Sequence, residues 1–419
     1  MIVVVGATLP GLAAAARLAR VGHHVVILDR RTSLTPPSAT LDVERHAPGT
    51  SARREGKRSM VVGERGRGPE PGGGVPKPLS PLDTDPYTVV LPAAWRDLFR
   101  KSGRPMAGEL GRHGLSLVPA PAPTYSTPAG EITLPADRAG QWHTLIEAVG
   151  PEIATVWRDL LDRLDASWLA LRPLGVEAEF TAPRLDRVTR TALRTDETLA
   201  DLARRAGPLG SLFTDLAVRR DSDPRRAPAW LGTRLSIERT FGRWQLVDAS
   251  GAPQPATRLV DVLRQRLHDR GVELHADTEV QRIRPGQVSA AGGQWACQAI
   301  IVATSPWPYA ALTGGGSPRR LTAARTAGPQ WRSWRTLLDL PRLRTTLPGI
   351  YAASEFSPAG PEPWAQLLTG ALAAYRVHED LTGQDMRPTN KAWSPPPLPP
   401  QARTVISTST NMSESLEPE

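Results

Sequence analysis

The sequence predicts an α/β fold organised around a parallel sheet, and three observations carry that expectation. Ile2-Val3-Val4-Val5 and Val25-Val26-Ile27-Leu28 are short β-branched runs that read as fully buried strands. A glycine turn and a helical stretch lie between them, which makes residues 1–29 a βαβ unit. Apolar strands of the same kind recur far along the chain, at 299–303 and 350–353.

In chain order, residues 10–21 read as a helix. Pro10 suits a first helical turn, and Leu12, Ala15, Ala16, Leu18 and Ala19 supply a close-packing face. Gly22 follows as the C-terminal cap. Residues 33–81 are rich in proline, glycine and charge without sustained periodicity, and read as a long flexible insert. Helical patterns return over 93–101, 152–169 and about 197–206, with Trp142, Trp157 and Trp168 read as core or interface aromatics. Residues 257–270 put Leu259, Val262, Leu263 and Leu267 on one helix face; Gly271 closes it and a short strand follows at 272–275. Residues 280–283 and 295–297 suggest a further sheet. A last strong helix runs from Trp364 to Leu381, ending at Gly383, and the proline-rich stretch from Pro388 reads as a disordered tail.

Composition narrows the function. A length of 419 residues, against domains of roughly 150, gives ample chain for a sizeable core. The 42 prolines and 36 glycines stay below the roughly 25–30% at which a chain reads as low complexity. The net charge of +9 invites a nucleic-acid or anionic-surface partner. Only Lys57, Lys77, Lys101 and Lys391 are lysines, however, and the basic runs are doublets such as Arg53-Arg54 and Arg204-Arg205 with acidic residues among them. That pattern is an arginine-rich coding bias, so no nucleic-acid partner is expected. The lone Cys297 excludes an internal disulfide and any Cys-based metal centre, which suits a reducing cytoplasm. No stretch reaches the roughly 18 apolar residues of a membrane span, and the N-terminus lacks a signal-peptide pattern. The expectation is a cytoplasmic protein.

The first chemistry lies in Gly6-Ala7-Thr8-Leu9-Pro10-Gly11, between strand and helix. A dinucleotide-binding turn uses its first glycine for the tight turn and its third for helix–strand packing, and the helix N-terminus then faces a pyrophosphate. Asp29, about 20 residues on and followed by Arg30, is placed to accept hydrogen bonds from an adenosine ribose. Thr8 stands in the middle glycine's place, and its Cβ narrows the backbone's approach to a pyrophosphate. The bland alternative is a βαβ unit that packs but binds nothing.

Three segments of the chain resemble the FAD-dependent oxidoreductases that include phytoene desaturases and flavin amine oxidases. Residues 2–30 look like that family's FAD-adenosine unit. Residues 257–283 with Ile300-Ile301-Val302-Ala303-Thr304 are similar to its helix, strand and closing strand, with Val280 matching a valine whose backbone lies by the adenine. Leu347-Pro348-Gly349-Ile350-Tyr351-Ala352-Ala353-Ser354-Glu355, leading to the helix at Trp364, resembles its C-terminal flavin-binding strand, loop and helix. Residues 91–99 and 223–229 look most like the phytoene-desaturase branch. The resemblance implies a Rossmann-like, discontinuous FAD-binding domain with an inserted, mainly helical α+β substrate domain. It implies FAD as cofactor, Glu355 near the ribityl–phosphate chain, and the helix N-terminus at Trp364 facing the flavin pyrimidine, where positive partial charge stabilises reduced flavin.

The departures from that pattern form a series. Thr8 and Ser354 replace glycines, Asp85 stands where a glycine is favoured, and residues 247–251 replace a double-glycine turn. The usual Arg- and Gly-rich turn after the acidic residue is missing, since Gly72-Gly73-Gly74 lies too far along. Either FAD binds through rearranged contacts or the site has decayed.

The implied division is an FAD-binding part over 1–32, the insert over 33–81, a substrate domain over 82–244, and a second FAD part over 245–305. A connector or return over 306–340, a C-terminal FAD part over 341–387 and the tail over 388–419 complete it. The expected function is dehydrogenation of an apolar isoprenoid-like or amine substrate by hydride transfer to flavin. The alternative is a degenerate flavoprotein fold acting as a non-catalytic binding or structural partner. A lipid-soluble substrate would bring peripheral membrane contact. No Ser-His-Asp, paired-carboxylate or metal-ligand pattern stands out, so no catalytic residue and no metal are assigned. The histidines, including His23-His24, read as solvated, and Trp230 and Trp364 as core rather than pocket residues.

Overall fold

A computed structural model describes residues 1–31, 86–314, 318, 320–324 and 328–387. The expected insert, the tail and Asp85 lie outside the described residues. The chain begins with β1 (Ile2–Val5), α1 (Leu9–Arg20) and β2 (Val25–Leu28). It continues through β3 (Thr88–Val90), α2 (Ala93–Ser102), α3 (Met106–Arg112), β4 (Leu115–Pro119), β5 (Thr124–Thr127) and β6 (Gly130–Thr133). A helical stretch follows: α4 (Arg138–Val149), α5 (Pro151–Leu171), α6 (Arg187–Ala192), α7 (Leu199–Ala206), α8 (Ser211–Val218) and α9 (Thr233–Phe241). Then come β7 (Arg243–Asp248), β8 (Pro253–Gln254), α10 (Arg258–Asp269), β9 (Glu273–His275), β10 (Val280–Arg284), β11 (Gln287–Ala290), β12 (Gly293–Ala296) and β13 (Ala299–Val302). The last elements are α11 (Pro306–Thr313), α12 (Thr336–Asp339), β14 (Ile350–Ala352) and α13 (Pro363–Thr382).

The central sheet runs β14-β13-β1-β2-β9, with every pair parallel. Its strands come from three distant stretches, as the apolar runs predicted. The strands alternate faces, as the period of two requires. Val3, Val5, Val26, Leu28, Ile300 and Val302 pack on one side against the antiparallel β10-β11-β12 sheet. Ile2, Val4, Ile27 and Ile301 face the helical side. There α1 is buried from Leu9 through Leu18, and its alanines let α13 approach closely. A Cβ added at Gly370 of α13 would lie 2.4 Å from the Pro10 carbonyl oxygen. Arg17, almost wholly buried, lashes the layers together: it donates to Asp97 of α2 at 2.7 Å and to the Tyr375 hydroxyl of α13 at 3.2 Å.

The remaining helices pack beside a second sheet, β3-β7-β4, with β8 paired to β7. Trp157 of α5 is buried and meets Phe213 with ring centroids 5.5 Å apart, which fits the core expected of it. Helix α7 starts where a capping box sets it. Thr198 Oγ1 accepts from the Asp201 N–H, and the Asp201 carboxylate accepts from the Thr198 N–H.

Candidate functional site

Numbered by appearance in the chain, the central strands lie in the order 3-2-1-4-5, so the order reverses between β1 and β13. Open α/β sheets bind ligands outside the carboxyl ends of their strands at such a switch point. The crevice here is bounded by the turn after β1 and by Ala303-Thr304 after β13. Gly6 has φ +103°, and a Cβ on it would meet Thr304 Cγ2 at 3.1 Å. A Cβ on Gly11 would lie 2.4 Å from the Gly6 carbonyl oxygen and 2.9 Å from Ala303 Cβ. Only glycine fits either place.

Thr8 does more than crowd the turn. Its hydroxyl donates to the Ala303 carbonyl at 2.7 Å, bridging the crevice. It leaves the first turn of α1 without a side-chain cap, and that turn carries no acidic residue. Thr304 Oγ1, across the same crevice, is buried with no hydrogen-bond partner. An uncapped helix start beside an unpartnered hydroxyl suits a polar, anionic ligand.

Asp29 lies at the end of β2 and is 5% exposed. Its Oδ2 accepts from the Ala7 N–H at 2.6 Å, which ties β2 to the turn. Arg31 takes up the rest of the carboxylate. Its Nε donates to Oδ1 at 2.7 Å, Nη2 to Oδ2 at 2.6 Å, and its backbone N–H to Oδ1 at 2.9 Å. Nη2 also reaches the Ala7 carbonyl at 3.0 Å. Burial pushes the Asp29 pKa up, but the hydrogen bonds and charge of Arg31 outweigh it and hold the carboxyl below its ordinary value. On α10, Arg264 has Nε and Nη2 buried without partners. Burial pulls its pKa down; Asp261 opposes this, and the nearby Arg31 adds to the lowering.

The structure gathers some predicted site residues and scatters others. Gly6, Thr8, Gly11 and Asp29 meet at the crevice. Arg30 is exposed, and the arginine that reaches the turn is Arg31, the second of the doublet. Leu9 and Pro10 are buried in the packing of α1. Val280 starts β10 and packs under the central sheet. Ser354 is buried, its Oγ accepting from the Phe356 N–H at 3.2 Å, and Glu355 beside it is half-buried. The histidine pair is not simply solvated. His23 Nε2 lies 2.9 Å from Nδ1 of the buried His378, and His24 pairs with Glu273 at 2.7 Å. Burial, then the charge of His378, lowers the His23 pKa.

The amino end of α13 is also differently made. Glu362 is its N-cap residue, but its carboxylate makes no hydrogen bond to the helix amides and pairs with Arg220. Two clefts border Trp364. One is lined by Val90, Trp95, Leu259 and Trp364. The other includes Trp230, Trp331, Trp364, Arg220, Arg234 and Glu362 in its wall. Trp230 and Trp364 are therefore buried, as a core reading requires, and also line cavity walls. Trp364 is held edge-on by Trp168, centroids 5.3 Å apart at 89°. Among the described residues no cluster of His, Cys, Asp or Glu could hold a metal, and no helix is long and apolar enough to cross a membrane.

Sequence reasoning missed Arg31, Arg264, Glu362 and Trp331. Only Arg31 left a signal, as the neighbour of a residue already singled out; the others come together through tertiary packing.

No family model matches the chain, and no curated protein matches it. Among solved structures it is similar to cyclohexylamine oxidase from Brevibacterium oxydans, at 14% identity and a TM-score of 0.46 over 91% of this chain and 99% of that one. A putrescine oxidase redesigned in its cofactor binding is similar at 14% identity and a TM-score of 0.42, over 74% of this chain. A fatty acid isomerase from P. acnes is similar at 13% identity and a TM-score of 0.42, over 76% of this chain. The chain spans 59% of the length of that putrescine oxidase and 62% of that of the isomerase. These likenesses are remote, and the functional reading rests on the chain's own geometry.

Proposed function

We propose that the chain is an FAD-dependent oxidoreductase acting on an apolar substrate. The observation that carries this reading is the glycine turn at the topological switch point, with an uncapped helix start and Thr304, its hydroxyl unpartnered, beside Gly6. The residues fit a dinucleotide. Gly6 to Gly11 would take the pyrophosphate, Asp29 the adenosine ribose once Arg31 gives way, and the Val280 backbone the adenine, while the amino end of α13 would lie by the flavin. Bound FAD would supply a hydride acceptor. The chain's own part is to hold and shield: Thr8 and Arg31 close the crevice from its two sides, and Trp364 with its neighbours keeps water from the α13 end. The Arg220–Glu362 pair sets the charge there, with the guanidinium offsetting the carboxylate of the N-cap residue. The substrate class, isoprenoid-like or amine, the cytoplasmic setting, the substrate domain over 82–244 and any peripheral membrane contact belong to this proposal.

FAD-loaded protein mixed anaerobically with candidate amines and isoprenoid hydrocarbons should lose its oxidised-flavin absorbance with one class. A second reading, a non-catalytic binding fold, is favoured by one observation: Asp29, the expected ribose acceptor, is already saturated by Arg31 and Ala7. Protein that holds FAD but never bleaches with either class would favour that second reading.

A further inference from the structure

The ribose end of the crevice is already taken by the chain itself. The Asp29 carboxylate accepts four hydrogen bonds, two on each oxygen. Two come from backbone N–H groups: Ala7 to Oδ2 at 2.6 Å and Arg31 to Oδ1 at 2.9 Å. The other two come from one side chain, Arg31, whose Nε donates to Oδ1 at 2.7 Å and Nη2 to Oδ2 at 2.6 Å. The backbone pair is fixed by the end of β2 and the glycine turn, so only the Arg31 side chain can leave. A guanidinium edge offers a carboxylate two N–H donors side by side. A vicinal diol offers two O–H donors side by side and would need the same two acceptor positions. The Arg31 guanidinium therefore stands where a ribose diol would have to donate. Its side chain is 21% exposed, against 5% for Asp29, so it has a route into solvent that the carboxylate lacks. The nearby cation of Arg264 repels it.

We propose that Arg31 is an internal competitor for the ribose diol, and that it sets the chain's affinity for adenine nucleotides bearing a free 2′,3′-diol. The proposal rests on the flavin reading only in taking this crevice as the nucleotide site. The chain closes its own site, and a nucleotide enters by taking over the two acceptor positions that Arg31 releases. The apparent affinity is then the intrinsic one multiplied by the fraction of chains in which Arg31 has let go. With about one chain in ten open, that is about a tenfold loss. A guanidinium that merely braced the turn, or drew a pyrophosphate by its charge, would act in the opposite sense, since its removal would weaken nucleotide binding. The sign of the effect separates the competitor from the brace.

Calorimetric titration of the full chain with ADP, 2′,3′-dideoxy-ADP and FAD tests this. Arg31→Ala should bind ADP and FAD about tenfold tighter than wild type. It should leave 2′,3′-dideoxy-ADP within about twofold, because a ligand without the diol does not compete for Asp29. Arg31→Lys keeps the charge but cannot span both carboxylate oxygens, and should tighten ADP in the same direction. It carries the test if the alanine variant fails to fold. ADP binding that is unchanged or weaker in either folded variant overturns the proposal. So does a gain that 2′,3′-dideoxy-ADP shares, or the failure of ADP to bind any form of the chain. Variants that gain ADP affinity while no form binds FAD would uphold this proposal and sink the flavin reading alone. FAD bound with an affinity indifferent to Arg31 would do the reverse.

Discussion

The carboxyl edge of the parallel sheet and the amino end of α13 are built from opposite materials. At the sheet edge, small residues bring backbones together, and the polar groups largely satisfy one another: Thr8 with Ala303, and Asp29 with Arg31 and Ala7. At the helix end, large aromatic rings meet edge-on and border two narrow clefts. The first region is closed and specified by backbone geometry. The second is specified by side-chain volume and ring packing. A ligand at the sheet edge must displace internal hydrogen bonds, whereas one at the helix end must move packed rings.

Substitutions should separate the two regions sharply. Gly11→Ala puts a methyl group 2.4 Å from the Gly6 carbonyl oxygen and should cost about 3 kcal/mol in urea unfolding. A loss below about 1 kcal/mol would mean that the crevice is looser than its packing implies. Arg17→Met breaks the tie between α1, α2 and α13. It should cost about 2 kcal/mol, less than a fully buried pair because Asp97 is 26% exposed.

Asp29→Asn keeps the shape of the carboxylate but weakens its hold on Arg31, for about 1.5 kcal/mol at neutral pH. The same variant should change the acid limb. The folded pKa of Asp29 lies below the ordinary 3.8, so its contribution is complete above that value and is lost as pH falls through the folded one. Wild type should therefore lose more stability than Asp29→Asn below about pH 4, as unfolding midpoints against pH would show.

The smallest effect belongs to the His23–His378 contact. The His23 pKa is below the ordinary 6.5, so the unfolded chain takes up its proton first and stability falls as pH drops through 6.5. With solvent screening the slope amounts to a few tenths of a kcal/mol, and His23→Asn should remove it.

Much of the sheet-edge region was legible because its signals are local. Buried parallel strands need continuous apolar runs, so 2–5, 25–28 and 299–302 stood out, and the glycine turn and Asp29 follow from their spacing to β1 and β2. The β5–β6 hairpin was not legible. Its strands, Thr-Tyr-Ser-Thr and Gly-Glu-Ile-Thr, are mostly exposed or half-buried and lack the apolar alternation that marks a strand. The α13 end was only half legible. The helix announced itself by periodicity, but Trp331 and Arg220 lie in stretches without any, and only the fold brings them to Glu362. The pairing of Arg31 with Asp29 was hidden for a different reason: an arginine two residues on can equally well point into solvent, as Arg30 does.

The claim that most needs testing is that the crevice at the switch point holds FAD despite its internal hydrogen bonds. The full chain is incubated with FAD, desalted, and its retained flavin measured by visible absorbance against protein concentration. The account predicts close to one flavin per chain for wild type and little for Asp29→Ala. A wild-type protein that keeps its circular dichroism but emerges without flavin would contradict it.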